Sequence, residues 1–463
     1  MKILFLVPRL EANTNPPLGV AYIASYIRSK GYSNIEILDP TFEDMNYVFD
    51  RLDKMDYDVL GMSSYTMNYN LSLKFAQHVK SKNNNCKIVF GGIHPSILHE
   101  DVIKENVVDY VVIGEGEHTF YELLETFKKS GDLKTVDGLV FKQNGQIIKN
   151  RDRALIEDLN SLPFPARDLL PMKNYLNANY GRTAWSVKQP ATSIVTTRGC
   201  PFHCTYCSSH LMFGRKTRYR SVENILAEID HLVEEYKIKG LSIVDDTFII
   251  NKSHIYKLVE ELKKRKYKIE FICNGRVDII DKGILAALKS VGCKGIAFGV
   301  ESGSQYVLDN ILKKGTKLEQ VKDAFKWAYE VGIPTDGYFM IGIPGETEEN
   351  IKETIRFSTQ LKASASNFAI TIPMPRTELY DIALKHGKIT AKSWNDFNYT
   401  GKTIYKSETI PQSKLDEYRK KAVISFYFRP SYFIEQLLSI RCFDDILKKA
   451  KGFYMLSKTL LRN

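Results

Sequence analysis

The segment TTRGCPFHCTYCSSH (196–210) carries Cys200, Cys204 and Cys207, with three and then two residues between them. Thiolates at that spacing suit three chemistries. A structural zinc ion takes four Cys or His ligands, so His203 or His210 would have to complete the set. A thioredoxin-like pair would use Cys204 and Cys207 and leave Cys200 idle. An iron–sulfur cluster held at three of its irons would use all three thiols and keep one iron open to another ligand. The spacing alone leaves these alternatives open.

Four further cysteines, Cys86, Cys273, Cys293 and Cys442, stand singly in apolar segments and form no second cluster motif. Cys273 and Cys293 fall on predicted strands and are expected to pack as small apolar side chains. The opening MKILFLVPRL is one short apolar run, too brief for a signal sequence or a membrane span. A reducing, cytoplasmic setting is therefore expected, in which clustered thiols bind metal or react rather than form a disulfide.

The elements that must position the cysteines are legible as two series of alternating strands and helices. Between residues 1 and 140, apolar runs at 2–8, 35–40, 58–64, 87–92 and 109–117 read as strands, with helical patterns at 17–31, 68–82 and 118–129. Val- and Ile-rich strands alternating with helices predict a doubly wound, Rossmann-like α/β sheet, which binds ligands at the carboxyl ends of its strands. The unusual residues gather at those ends, at 13–19, 63–66, 91–95 and 114–117. A hairpin around Asn144-Gly145 and the proline-rich SLPFPARDLLPM (161–172) suggest a connector spanning 141–190.

A second series follows over 191–385, with strands at 192–197, 240–246, 269–275, 294–301, 334–344 and 366–373. Helical patterns at 222–237, 253–266, 281–290, 318–331 and 347–361 separate them. Six such units predict a partial (β/α)6 barrel, whose chemistry belongs at the strands' C-terminal ends. RGCPFHC falls at the first of these. Residues 386–463 read as a helical, aromatic and basic region, a pattern that serves a subdomain capping the barrel or peripheral contact with a membrane surface. The net charge of +11 over 463 residues favours acidic partners, but it is spread without an arginine-rich module, which argues against nucleic acid.

CPFHCTYC resembles the CxxxCxxC signature of radical S-adenosylmethionine (SAM) enzymes, including the aromatic Tyr206 before the last cysteine. GVESGS (299–304), KKGT (313–316) and FMIGIPGETEENI (339–351) are similar to later segments of that superfamily. PPLGVAYIASYIRSKGY, GGIHPSILHE, YVVIGEGEHTFYELLE and the connector IEDLNSLPFPARDLLP resemble the class that carries a cobalamin-binding domain, typified by anaerobic magnesium-protoporphyrin cyclases and hopanoid methylases. The resemblance covers most of residues 1–380.

The resemblance implies a [4Fe–4S] cluster on Cys200, Cys204 and Cys207, with SAM on the open iron. It implies SAM contacts from Tyr206, Asp245, Asn274, Arg276, Glu301, Ser302, Lys314 and the backbone at Gly342. Glu301 and Ser302 would face the ribose and Lys314 the methionine carboxylate. GIPGE (342–346) would face adenine, although its Glu346 lies one position late for the superfamily pattern and would otherwise cap the following helix. Cobalamin would meet Asn15, Gly19, Ser63, Ser64, Gly91, Gly92, His94, Gly114 and Glu115, without the histidine of a DxHxxG motif, which is absent. The implied activity is cleavage of SAM to a 5′-deoxyadenosyl radical that serves methylation of an unactivated carbon, or else cyclisation or rearrangement with a vestigial cobalamin domain. The implied partners are a small or lipophilic substrate and an external electron donor such as ferredoxin or flavodoxin. A zinc-bearing binding module without radical chemistry is the reading of another class.

Overall fold

A computed structural model describes residues 1–8, 15–178, 181–182, 185–398 and 403–438. The N-terminal sheet contains β1 (Ile3–Leu6), β2 (Ile35–Leu38), β3 (Val59–Ser63), β4 (Lys87–Gly91), β5 (Tyr110–Val112), β6 (Leu139–Gln143) and β7 (Gln146–Lys149) in the order β2-β1-β3-β4-β5-β6-β7. The first five are parallel. Period-two alternation divides their apolar residues between two cores. Leu4, Leu6, Leu60, Met62, Ile88 and Phe90 join one, under the helix Tyr69–Lys82. Ile3, Phe5, Val59 and Val89 join the other, under the helices Leu18–Ser29 and Gly116–Lys129.

The expected boundary at residue 140 falls inside this sheet. β6 pairs antiparallel with β5 and β7 with β6, so the hairpin extends the N-terminal sheet instead of starting the connector. The connector proper is lashed to the barrel through Arg167, which donates to Ser193 O at 2.9 Å and pairs with the buried Glu228 at 2.7 Å.

The second sheet has six strands, Ala191–Ile194, Gly240–Ile243, Glu270–Gly275, Cys293–Glu301, Thr335–Ile341 and Ala365–Ile370, parallel and adjacent in chain order. The helices Val222–Tyr236, Lys252–Lys263, Lys282–Ser290, Leu318–Val331 and Glu348–Gln360 cover it. Together they form the expected partial barrel. Cys273 and Cys293 are buried in its core beside each other, and that contact together with burial holds the Cys273 thiol well above its ordinary pKa.

The C-terminal region is less helical than expected. Gly387–Ile389 and Tyr405–Ser407 form an antiparallel ribbon before the helices Gln412–Tyr427 and Pro430–Leu438. The first of these helices closes the barrel's last strand: Tyr427 OH donates to Ser366 O at 2.8 Å and accepts from Ser366 N at 3.0 Å, satisfying an edge that would otherwise invite strand addition. Ile424, Phe428, Phe433 and Ile434 remain exposed. The rest of the tail, with Cys442, lies outside the described residues. No described helix is long and apolar enough to cross a membrane.

Candidate active site

The three cysteines occupy a loop whose two ends are pinned together. Thr197–Arg198 pairs antiparallel with Arg218–Tyr219, and Gly199 makes the turn into Cys200 at φ +87°. A Cβ there would stand 2.3 Å from Lys216 O, so the residue before the first cysteine has to be glycine. Farther along, Thr205 N and Oγ1 donate to Leu312 O and Ile311 O at 3.0 and 2.9 Å, anchoring the loop across the barrel mouth. Burial pushes the Cys200 thiol up and the Cys207 thiol to about 11. No three His, Cys, Asp or Glu side chains among the described residues stand close enough to hold a single ion. The donor set is three half-buried or buried thiols on one loop that is pinned at its root and across the barrel mouth. It fits a cluster.

Beside Cys207, Tyr206, Glu301 and Lys314 converge. Tyr206 OH donates to Glu301 Oε1 at 2.9 Å, and Lys314 Nζ reaches Tyr206 OH at 2.9 Å and Glu301 Oε1 at 3.0 Å. Burial and the Glu301 carboxylate hold the Tyr206 hydroxyl well above its ordinary pKa. Glu301 ends its strand at φ +68°, a conformation that L residues adopt at a cost. Gly299 makes room for it: a Cβ there would lie 2.3 Å from Glu301 Oε1 and 3.1 Å from Lys314 Nζ. These buried charges, already paired and held in place, fit the polar end of SAM.

Arg276 lies against the cluster loop itself. Its guanidinium is 3.5 Å above the Phe202 ring, grips Asp278 through two 3.0 Å bonds, and brings Nη1 to 3.6 Å from Cys204 Sγ. Asp245 is fully buried and accepts from Thr196 N at 2.6 Å and from the Thr196 hydroxyl. Burial nevertheless raises its carboxyl to about 6. Asn274 is exposed at the end of its strand.

Two of the implied SAM contacts are committed elsewhere. The Ser302 hydroxyl, just past the turn that Glu301 makes at the strand's end, lies 3.1 Å from Thr354 Oγ1 and accepts from Ser304 N at 3.1 Å. Gly342 N donates to Glu346 Oε1 at 2.6 Å, and Ile343 N does so at 2.8 Å. Glu346 therefore folds back over its own loop, while Thr347 caps the following helix. Burial pushes the Glu346 carboxyl up to about 8 against the pull of those two N–H groups.

A cleft, partly open to solvent, runs between the N-terminal sheet and the barrel. Gly19, Ser63, Gly91, Gly92 and Gly114 line one side, and Val195, Met212, Phe213, Asp245 and Asp246 the other. A Cβ at Gly19 would meet nothing within 4 Å, and one at Gly91 nothing nearer than 3.8 Å, so the glycines leave a backbone cradle. Open glycine backbone beside a mostly apolar lining fits a bulky group such as a corrin. Of the implied cobalamin contacts, Asn15, Ser64 and His94 do not line the cleft. Ser64 Oγ bonds to Ser72 Oγ at 2.6 Å. His94 is sandwiched between Tyr69 and Trp394 with ring centroids 4.2 and 4.8 Å away, and burial lowers its pKa to about 4. Glu115 reaches the cleft, but its carboxylate is taken by Arg198, Arg218 and Ile156 N. The loop at 9–14 lies outside the described residues.

Sequence reasoning missed Arg198, Arg218, Gly299 and Phe202. Only Arg198 and Phe202, next to the cysteines, carried a local signal.

Residues 194–358 match the family model of the radical SAM superfamily, and residues 12–124 that of the B12 binding domain. An uncharacterized methyltransferase of Pyrococcus horikoshii is 33% identical over 460 residues, 97% of each chain. The anaerobic magnesium-protoporphyrin IX monomethyl ester cyclase of Cereibacter sphaeroides is 26% identical, over 99% of this chain and 77% of its own. Among solved structures, the cobalamin-dependent SAM radical enzyme OxsB with aqua-cobalamin bound superposes with a TM-score of 0.75 at 18% identity, over 99% of this chain and 72% of that one, which shows a shared fold. The chain belongs to the radical SAM enzymes that carry a B12-binding domain, whose cofactors are a [4Fe–4S] cluster, SAM and cobalamin.

Proposed function

We propose that this enzyme methylates an unactivated carbon of a small molecule, with the cluster on Cys200, Cys204 and Cys207 and cobalamin in the interdomain cleft. One observation carries this reading: the cleft at the strand ends of the N-terminal sheet opens onto the cluster loop, whose Met212 and Phe213 form its far wall. When bound, the cofactors supply one-electron cleavage of SAM and methyl transfer to carbon.

The chain's own residues bind and orient. Lys314 would pair with the carboxylate of SAM and Glu301 would accept from its ribose hydroxyls, each giving up part of the buried pair it forms with the other. The buried Lys314 and half-buried Tyr206 would screen this end of the site from bulk solvent and stray hydrogen donors. Arg276 donates toward Cys204 Sγ and steadies the central cysteine of the loop. An external low-potential donor, a reduced flavodoxin or ferredoxin, supplies the electron.

The likeness to a cyclase over nearly the whole chain keeps a second outcome, ring closure without methyl transfer. Product analysis separates the two. Methylation yields S-adenosylhomocysteine together with 5′-deoxyadenosine under reducing conditions. Cyclisation yields 5′-deoxyadenosine without S-adenosylhomocysteine, and that result would overturn the methylation reading.

A further inference from the structure

The end of β5 and the root of the cluster loop share one buried set of charges. In the ribbon that closes the loop, Arg198 stands directly opposite Arg218. Like charges paired across strands repel, so the ribbon needs a counter-charge from elsewhere. Glu115 provides it from the N-terminal domain. Arg198 Nη1 donates to one of its oxygens at 2.8 Å and Arg218 Nη1 to the other at 2.6 Å, while Ile156 N adds a third bond at 2.9 Å. Arg198 Nη2 goes on to Glu117 at 2.6 Å. No side chain of the four is more than 9% exposed. Arg218 Nη2 also donates to Phe213 O, on the cleft wall, at 3.0 Å. None of these groups touches a cysteine, yet Arg198 is two residues from Cys200 and Glu115 follows Gly114 on the rim of the cleft.

We propose that Glu115, Arg198 and Arg218 are positioning residues that set the spacing between the cluster loop and the interdomain cleft. This rests on cobalamin occupying that cleft. The fold gives the spacing a physical fastener: both strands of the ribbon bind one carboxylate, so the loop and the end of β5 move together. Spacing matters because a displacement of about 1 Å in a reacting pair costs roughly 100-fold in rate.

The test measures the dipolar coupling between the reduced cluster and the Co(II) corrinoid in the holoenzyme. The native chain is expected to give one narrow distance. Glu115→Gln removes the charge that both arginines share, and its distance distribution should broaden and lengthen while iron and corrinoid contents stay at native levels. Arg198→Lys should behave the same way, because a single ammonium does not span two carboxylates. A native distance in both variants at full cofactor content overturns the proposal. Should the variants fail to fold, amide exchange on the native chain decides. Adding hydroxocobalamin should slow exchange several-fold at 199 and 216–219, which do not line the cleft, as well as at the N-terminal strand ends. Protection confined to the N-terminal domain contradicts the fastener. A native chain that takes up no corrinoid overturns the functional reading and this inference with it, whereas a corrinoid-loaded chain with unaltered variants overturns the inference alone.

Discussion

On the N-terminal side the cleft wall combines glycine backbone with apolar side chains: Gly19, Gly91, Gly92 and Gly114 line it together with Leu18, Ile23, Met62 and Phe120, and nearby polar side chains such as Ser64 and Glu115 are bonded elsewhere. At the mouth of the barrel the wall is side chain, with Glu301, Lys314 and Arg276 buried, Tyr206 half-buried, and all four bonded to one another or to the cluster loop. Both surfaces lie at the carboxyl ends of parallel strands, where α/β proteins bind ligands. The contrast follows from what each has to hold. A broad macrocycle is gripped by shape and by close backbone approach. A small zwitterion on an iron is gripped by charges whose desolvation is offset by mutual pairing.

Breaking one surface should leave the other intact. The largest effect is expected from Cys204→Ala, which should lose the cluster and all SAM cleavage while circular dichroism stays native and corrinoid is still retained. Loss of corrinoid in the same variant would show that the two surfaces are not separable. Gly299→Ala comes next. Its methyl group would displace Glu301 and Lys314 at a cost of about 2 kcal/mol, roughly a 30-fold rise in the Kd for SAM by calorimetry, with iron content unchanged. Affinity equal to native would remove Glu301 and Lys314 from the SAM site.

Gly19→Phe sharpens the comparison from the other side. A ring projecting into the cleft should weaken corrinoid retention about tenfold by absorbance, equivalent to roughly 1.4 kcal/mol, while 5′-deoxyadenosine formation persists. Unchanged retention would take the cradle out of the account. The smallest effect concerns the GIPGE loop. Glu346 is raised to about 8 in the folded chain against an ordinary 4.5. The stability it contributes is complete below 4.5 and is lost as pH rises through about 8. Glu346→Gln keeps an oxygen for the Gly342 and Ile343 N–H groups and has no charge to bury. Its melting temperature should fall by a few degrees less than the native value between pH 6 and pH 9. Parallel curves would contradict the buried carboxyl.

The strands and helices of both sheets were legible because their apolar periods are local, and the cysteine loop because its ligands lie within one short segment. The hairpin was grouped with the connector because pairing of β6 with β5 is a matter of register across the sheet, which no local pattern encodes. Arg198 and Glu115 were missed as partners for the same reason, being 83 residues apart. Ser302 is different. It follows Glu301, whose left-handed backbone at φ +68° turns the chain at the strand's end, and that turn is imposed by the surrounding fold. His94 belonged to an aromatic sandwich completed by Trp394, three hundred residues downstream.

The central claim is that Cys200, Cys204 and Cys207 leave one iron of a cluster open for SAM. Anaerobic reconstitution with iron and sulfide, followed by reduction in the presence of SAM, tests it most directly. The account predicts a brown protein with about four irons per chain that converts SAM to 5′-deoxyadenosine. A protein that instead retains zinc at these cysteines and leaves SAM uncleaved would contradict it.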